Sequence, residues 1–328
     1  MPERGTKPTI YNVAARAGVS ISTVSLAINQ PQRVSAATRR RVAEAADAEG
    51  YRSRAGGPRA GLRTIAVAAP FSSWPSYYAR LDGVLARCAD AGVEVLVHDL
   101  PSSNEVEAPL LDALPVRGDL DGVILMGTPL SASAETSIQR SGTPTVLVDA
   151  ASETLPTVTV DDMHGGRLLG THLAELGHRT VLYIHEGQVS DDYVSAGMRR
   201  FAGVDGALTA VGGSVEPVLF DHEVLAAARR RGATAIVANH DALAAEVLRS
   251  ATSLGVDVPG DVSVTGYDGG ALATALRLTT VVQPFAATGS AAADLLIGML
   301  GGTAPSVRTL TLACSLAVDA TTARPPEA

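Results

Sequence analysis

Between Thr9 and Tyr51 the chain carries three helix starts and two glycine stops in close succession, a spacing that suits little except a compact unit of three short helices. Thr9 opens a first helix over Ile10 to Ala17, whose Ile10, Val13, Ala14 and Ala17 recur on one face at helical spacing. Gly18 supplies the left-handed residue that ends this helix and allows a tight turn. Ser20 caps a second helix running to about Asn29, with Val24 and Ile28 inward. Ser35 caps a third, which Gly50 ends, with Val42, Ala45 and Ala46 on its inner face.

A helix, a tight turn containing Gly and a second helix make a helix-turn-helix, which lays its second helix in the DNA major groove. The outward side chains near the start of that helix are Ile21, Ser22 and Ser25, with Leu26 one position on. Short polar groups of this kind reach base edges, and apolar ones touch a thymine methyl. The alternative is a three-helix bundle without nucleic acid, and charge separates the two. Residues 1–63 hold eleven Lys or Arg against four Asp or Glu, whereas the remaining 265 hold fifteen against thirty. A basic head on an acidic body is expected where only the head meets phosphates. Arg39, Arg40 and Arg41, with Arg16 and Arg33, are the expected phosphate contacts, although a charge run is more often a solvated face.

Residues 52–63, RSRAGGPRAGLR, read as a linker, being Gly, Pro and Arg without periodicity. From Thr64 onward, apolar runs alternate with helical stretches. Buried parallel strands are predicted at 64–69, 93–98, 121–126 and 145–149, with a helix at 76–91, and again at 180–184, 215–220, 234–239 and 262–267. Two such series in tandem predict two doubly wound parallel-sheet subdomains. Ligands in these sheets bind outside the carboxyl ends of the strands, here in a cleft between subdomains.

Other chemistry finds little support. No run approaches the roughly 18 apolar residues that span a membrane, and no signal peptide precedes the first helix, so a cytoplasmic protein is expected. Cys88 and Cys314 read as small buried hydrophobes. The histidines at 98, 164, 172, 178, 185, 222 and 240 lack metal-ligand spacing, and no cofactor is implied. The stretch from His164 to Gly170, HGGRLLG, is a poor phosphate loop, and the pairs Asp161-Asp162 and Asp191-Asp192 have no evident catalytic setting. An enzyme is not expected. The C-terminal TTARPPEA has no heptad repeat that would build a tetramer.

The stretch from Thr9 resembles the DNA-binding head of the LacI/GalR family of bacterial transcription regulators. Its T-I-x-x-V-A-x-x-A-G-V-S-x-x-T-V-S pattern, Asn29, then V-S-x-x-T-R and G-Y carry the likeness. Segments 158–178, 258–268 and 278–284 resemble the family's sensor domain, which is similar to periplasmic sugar-binding proteins. The resemblance implies a head at 1–51, a hinge linker at 52–63 and an effector-binding and dimerisation domain at 64–324. It divides the latter into an N-subdomain (64–160 and 287–314) and a C-subdomain (161–286 and 315–324). It also implies a DNA-facing set of Thr9, Tyr11, Ser20, Ile21, Ser22, Thr23, Ser25, Leu26, Asn29, Arg33, Val34 and Arg39, with Leu62 as the candidate minor-groove wedge. Two positions depart from the pattern: Asn12 stands for the usual Asp, and Leu26 for the usual Arg.

Carried over in the same way, the effector-binding set is Phe71, Ser73, Trp74, Tyr77, Asp149, Val194, His240 and Asp268, with Asp241 in the family's A-N-D position. Phe71 stands for an Asp, and Val194, three residues before Gly197, stands for an Arg. Those replacements point to an effector less polar than a free hexose. The resemblance as a whole implies a homodimeric, sequence-specific repressor that reads an inverted-repeat DNA operator under a small-molecule effector, a sugar or sugar derivative. The competing readings are a transport-type binding module and a regulator answering to a non-sugar metabolite or a protein co-regulator.

Overall fold

A computed structural model describes residues 8–51, 63–100, 120–128, 130–187 and 194–327. The linker at 52–62, Leu62 within it, and the pair Asp191-Asp192 lie outside the described residues.

The head is three helices, α1 (Ile10–Ala17), α2 (Ile21–Asn29) and α3 (Ala36–Glu49), with a 3-10 turn at Pro31–Arg33. Ser20 Oγ accepts the N–H of Thr23 and Ser35 Oγ that of Thr38, as the sequence predicts. At α1 Thr9 is the N-cap and Asn12 closes a capping box, its Oδ1 accepting the backbone N–H of Thr9 at 3.0 Å and its hydroxyl as well. An amide oxygen serves this cap, so Asn12 costs the head none. Gly18 takes φ 63°, the left-handed geometry that turns the chain from α1 into α2. Val13, Val24, Ile28 and Val42 meet in a closed apolar core, each contributing roughly 1.5–3 kcal/mol of burial.

The body forms two six-stranded sheets in two compact units. The first unit runs to Thr159 and resumes over Phe285–Leu310; the second covers Val160–Pro284 and Thr311 onward. Strands β1 (Arg63–Ala69), β2 (Val93–Asp99), β3 (Gly122–Met126), β4 (Thr145–Val148), β5 (Thr157–Val160) and β11 (Thr309–Leu312) make the first sheet, in the order β11-β5-β4-β3-β1-β2. The second is β12-β10-β9-β8-β6-β7. Its strands are β6 (Thr180–His185), β7 (Ser214–Leu219), β8 (Ala235–Ala238), β9 (Ser263–Asp268), β10 (Thr279–Val282) and β12 (Ser315–Ala317). Pairing is parallel from β1 to β5 and across β6 to β10, and β12 joins β10 antiparallel. All eight predicted strands form, and β5, β10, β11 and β12 are additions. Short threonine-rich strands such as TTVV are poorly distinguished from loop by pattern alone.

Helices cover the sheets: α4 (Ser76–Ala91), α5 (Ala132–Ser141) and α11 (Phe285–Leu300) in the first unit. The second has α6 (Asp162–Leu176), α7 (Ala196–Thr209), α8 (Val224–Arg231), α9 (Asp241–Leu254) and α10 (Ala271–Leu276). In each unit one helix pair meets backbone to backbone on glycine. A Cβ on Gly166 would lie 1.9 Å from the Arg200 carbonyl oxygen, and one on Gly203 would lie 2.1 Å from that of Met163. Gly83 and Gly289 do the same between α4 and α11. The HGGRLLG stretch is therefore the contact face of α6, with no phosphate loop in it. Both cysteines are buried and unoxidised. Among the described residues, no helix is long and apolar enough to cross a membrane.

Candidate functional site

In the head, the capped start of α2 leaves Ile21 41% exposed, with Ser22 beside it and Tyr11 of α1 68% exposed. The three inward residues Val24, Ala27 and Ile28 anchor α2 in the core, so its opposite face is presented outward as a unit. Ser20, Ser22 and Thr23 share hydroxyl contacts at 2.8 Å, which order this polar end. Thr9 is exposed, whereas Ser25, Leu26 and Val34 are half-buried. Asn29 turns its amide back onto the Ser25 carbonyl at 3.0 Å. Arg33 is exposed and donates to Gln30, and Arg40 and Arg41 lie exposed on α3. Arg16 pairs with Glu49 at 2.9 Å.

Arg39 corrects the expectation. It is only 7% exposed, and its Nη1 donates to the carbonyl of Val34 at 2.8 Å. The guanidinium is turned inward to satisfy the turn between α2 and α3, where the part-buried Val34 carbonyl takes its hydrogen bond. Its part is to hold that turn, and the exposed positive charge here is carried by Arg33, Arg40 and Arg41.

In the second unit, polar side chains converge at the carboxyl ends of β6, β8, β9 and β10. Asp268 ends β9 with φ 133° and accepts from Gln283 Nε2 at 2.8 Å. Burial pushes its carboxyl up to about 6, against the pull of the Arg200 charge. Asp241 is 4% exposed and accepts the N–H of Gly269 at 2.8 Å and the hydroxyl of Thr280 at 2.6 Å. It pins the loop behind Asp268. His240 caps α9, accepting the N–H of Leu243 at Nδ1, and meets Glu186 through Nε2.

Arg200 is the residue that sequence reading missed. Its Nε binds Asp162 Oδ1 at 2.8 Å, its Nη1 donates to the Asn239 carbonyl at 2.8 Å, and its plane lies 3.8 Å from the Tyr267 ring centroid. It stands three residues before Gly203, the helix glycine that packs on α6. The Arg-x-x-Gly spacing expected at Val194 and Gly197 is thus met six residues later. Val194 precedes α7 and is 55% exposed. The signal was in the sequence, since Arg200 to Gly203 repeats the same spacing; only the helix boundary told which Gly was interior. With the Arg present, the argument for a less polar effector falls.

In the first unit, Phe71 is 2% exposed and its ring lies 5.1 Å from that of Tyr78. It is a core residue of the loop after β1, which corrects its placement in the effector set. Ser73 is exposed, and Trp74 and Tyr77 are half-buried. Tyr77 closes on Gly127, where a Cβ would meet its hydroxyl at 1.7 Å. Asp149, at φ 54° after β4, pairs with the buried Arg80 at 2.5 Å, and the Arg80 guanidinium lies over the Phe285 ring at 4.4 Å. A groove of about 530 Å³ in this unit, lined among others by Ile138, Pro144, Leu155 and Met299, sits at the amino ends of β4 and β5, away from these groups.

Two family models match the chain: bacterial regulatory proteins of the lacI family over residues 9–53, and a periplasmic binding protein-like domain over 171–322. The HTH-type transcriptional repressor CytR of Escherichia coli (strain K12) is 30% identical over 315 residues, covering 90% of this chain and 91% of that protein. Among solved structures, a complex of the transcriptional regulator CelR with cellobiose is 28% identical with a TM-score of 0.66, covering 96% of this chain and 99% of that one. The lac repressor dimer bound to operator and the anti-inducer ONPF is 25% identical with a TM-score of 0.66, covering 97% and 100%.

Proposed function

The chain belongs to the lacI family of bacterial regulatory proteins, DNA-binding transcriptional regulators, and from that premise we propose that it is a homodimeric repressor controlled by a sugar-type effector. The observation that carries the DNA side is the capped, outward end of α2, with Ile21 and Ser22 exposed beside Tyr11. Ile21 offers an apolar contact to a thymine methyl and Ser22 a hydroxyl to a base edge, while Arg33, Arg40 and Arg41 supply phosphate contacts. Two heads related by a two-fold axis read an inverted repeat, and the similar lac repressor is a dimer bound to operator.

The effector side rests on Asp268, Gln283, His240 and Glu186 at the carboxyl edge of the second sheet, the end at which doubly wound sheets take ligands. The cellobiose held by the related CelR favours a sugar here, and the polarity of these four groups agrees with it. Effector acts through unequal affinity for two arrangements of the protein, a coupling typically of about 1–3 kcal/mol. A DNA-regulating role also implies residence in the cytoplasm.

The test is selection of bound duplexes from a random DNA pool by purified protein, followed by sequencing. An enriched inverted repeat is expected. Binding that is steeply lost with salt but enriches no sequence would refute operator recognition, and absence of binding would refute the DNA role of the head.

A further inference from the structure

We infer that Glu186 is the specificity-determining acceptor of the effector site, selecting a hydroxylated ligand that is neutral or amine-bearing and rejecting phosphorylated and carboxylate ligands. The inference rests on the effector reading above. Glu186 directly follows β6, and the strand beside it, β8, runs into Asn239 and His240; Asn239 N–H bonds to the Ile184 carbonyl at 2.9 Å. The carboxyl group of Glu186 thus stands at the same sheet edge as Asp268, with His240 as the shared neighbour.

Its protonation state follows from the imidazole. A backbone N–H can only donate, so the bond from Leu243 at 3.2 Å fixes Nδ1 of His240 as the acceptor. The ring proton then sits on Nε2 and is donated to Glu186 Oε1. Asn239 adds a second bond: its Oδ1 takes the Tyr183 hydroxyl at 2.9 Å, which turns its amide end to Glu186. Burial pushes Glu186 up, but the His240 and Asn239 bonds outweigh it and hold the carboxyl below its ordinary range. At neutral pH it is an ionised group, held in one orientation, with 39% of its side chain open to solvent.

Among the described residues, the Arg200 guanidinium is already engaged by the protein. Arg200 is 11% exposed, bound to Asp162 and to the Asn239 carbonyl, and stacked on Tyr267. Moving it to a phosphate would strip Asp162, 8% exposed, of its partner, and breaking a buried pair is costly. A ligand anion would instead meet Glu186 and Asp268. Hydroxyl or ammonium donors fit; acids do not.

The experiment is thermal shift of the full chain against matched probes: glucose, glucosamine, gluconate and glucose 6-phosphate; ribose and ribose 5-phosphate; cellobiose; uridine and its monophosphate. Hits are titrated calorimetrically against wild type, Glu186→Gln and Glu186→Asp, the last serving if the amide variant melts early. The expected result is that a neutral or amine-bearing member binds and that Glu186→Gln weakens it about 10- to 100-fold, the loss of one charge-assisted hydrogen bond. A phosphorylated or acidic member binding best, or an affinity that Glu186→Gln leaves within threefold, overturns the inference and leaves the effector reading standing. Silence from every probe overturns both.

Discussion

Replacing Arg39 by methionine keeps most of the stem and deletes the buried guanidinium. The Nη1 bond to the Val34 carbonyl, at 2.8 Å, comes from a charged donor, a class that contributes about 1.5–3 kcal/mol. The carbonyl it leaves behind faces the turn between α2 and α3, where Arg39 is 7% exposed and water cannot easily replace the donor. Small helical heads have little stability to spare, so this loss opens α3 far more often. Native-state hydrogen exchange of the α3 amides in the full chain is expected to accelerate about 10- to 100-fold, the equivalent of that free energy. The dependence of DNA binding on salt should keep its slope, because no phosphate contact has gone. Arg40→Gln or Arg41→Gln should do the reverse, leaving exchange alone and flattening the log–log salt slope by about 0.9 each. An Arg39→Met protein with unchanged α3 exchange and a slope flattened by the same amount would refute the assignment.

Other substitutions probe the remaining elements. Gly203→Ala puts a methyl 2.1 Å from the Met163 carbonyl, so α6 and α7 must part; a loss of about 1–3 kcal/mol is expected in urea melts, with effector affinity falling because Arg200 rides on α7. A stability unchanged within error would show that the helices are not packed this tightly. Leu26→Arg should alter the bases enriched in duplex selection, and an identical base profile would place position 26 outside the groove. Asp268 has a folded-state pKa raised by burial to about 6, above that of the unfolded chain, so its favourable contribution is present at low pH and lost as pH rises through 6. Asp268→Asn should therefore raise the melting temperature of the effector-free protein at pH 7.5, less so at pH 5, while abolishing effector binding; a variant no more stable at pH 7.5 would count against that burial. His178 is lowered by burial, bonded to Thr234 and to the Ala323 carbonyl, so the unfolded chain takes up protons first. Stability should fall as pH drops from about 6.5, and His178→Gln should flatten that fall in melts between pH 7 and 5.

The head was legible from sequence because its determinants are local. Ser20 and Ser35 cap the helices they precede, Gly18 and Gly50 end them, and a 3.6-residue period marks the core face, all within one or two turns of chain. Six of the eight predicted strands were legible for a similar reason, since a strand buried on both faces must be continuously apolar; β2 and β7, at the sheet edges, are mostly half-buried or exposed, against the expectation of burial. Arg39 and Phe71 went the other way, because exposure is a property of the packed structure: an arginine beside two others on α3 reads as surface until a carbonyl from the preceding turn is found beneath it. The proposed effector edge was the least legible part. Glu186, Asn239, His240, Arg200 and Asp162 come from the ends of two strands and the starts of three helices, far apart in the chain. Sequence alone determined that this chain has a capped helix-turn-helix and two wound sheets, whereas tertiary structure decided which charges are spent on the protein itself and which remain for a ligand. Hydrogen bonds between distant elements, and the desolvation that makes them matter, exist only once the chain has packed.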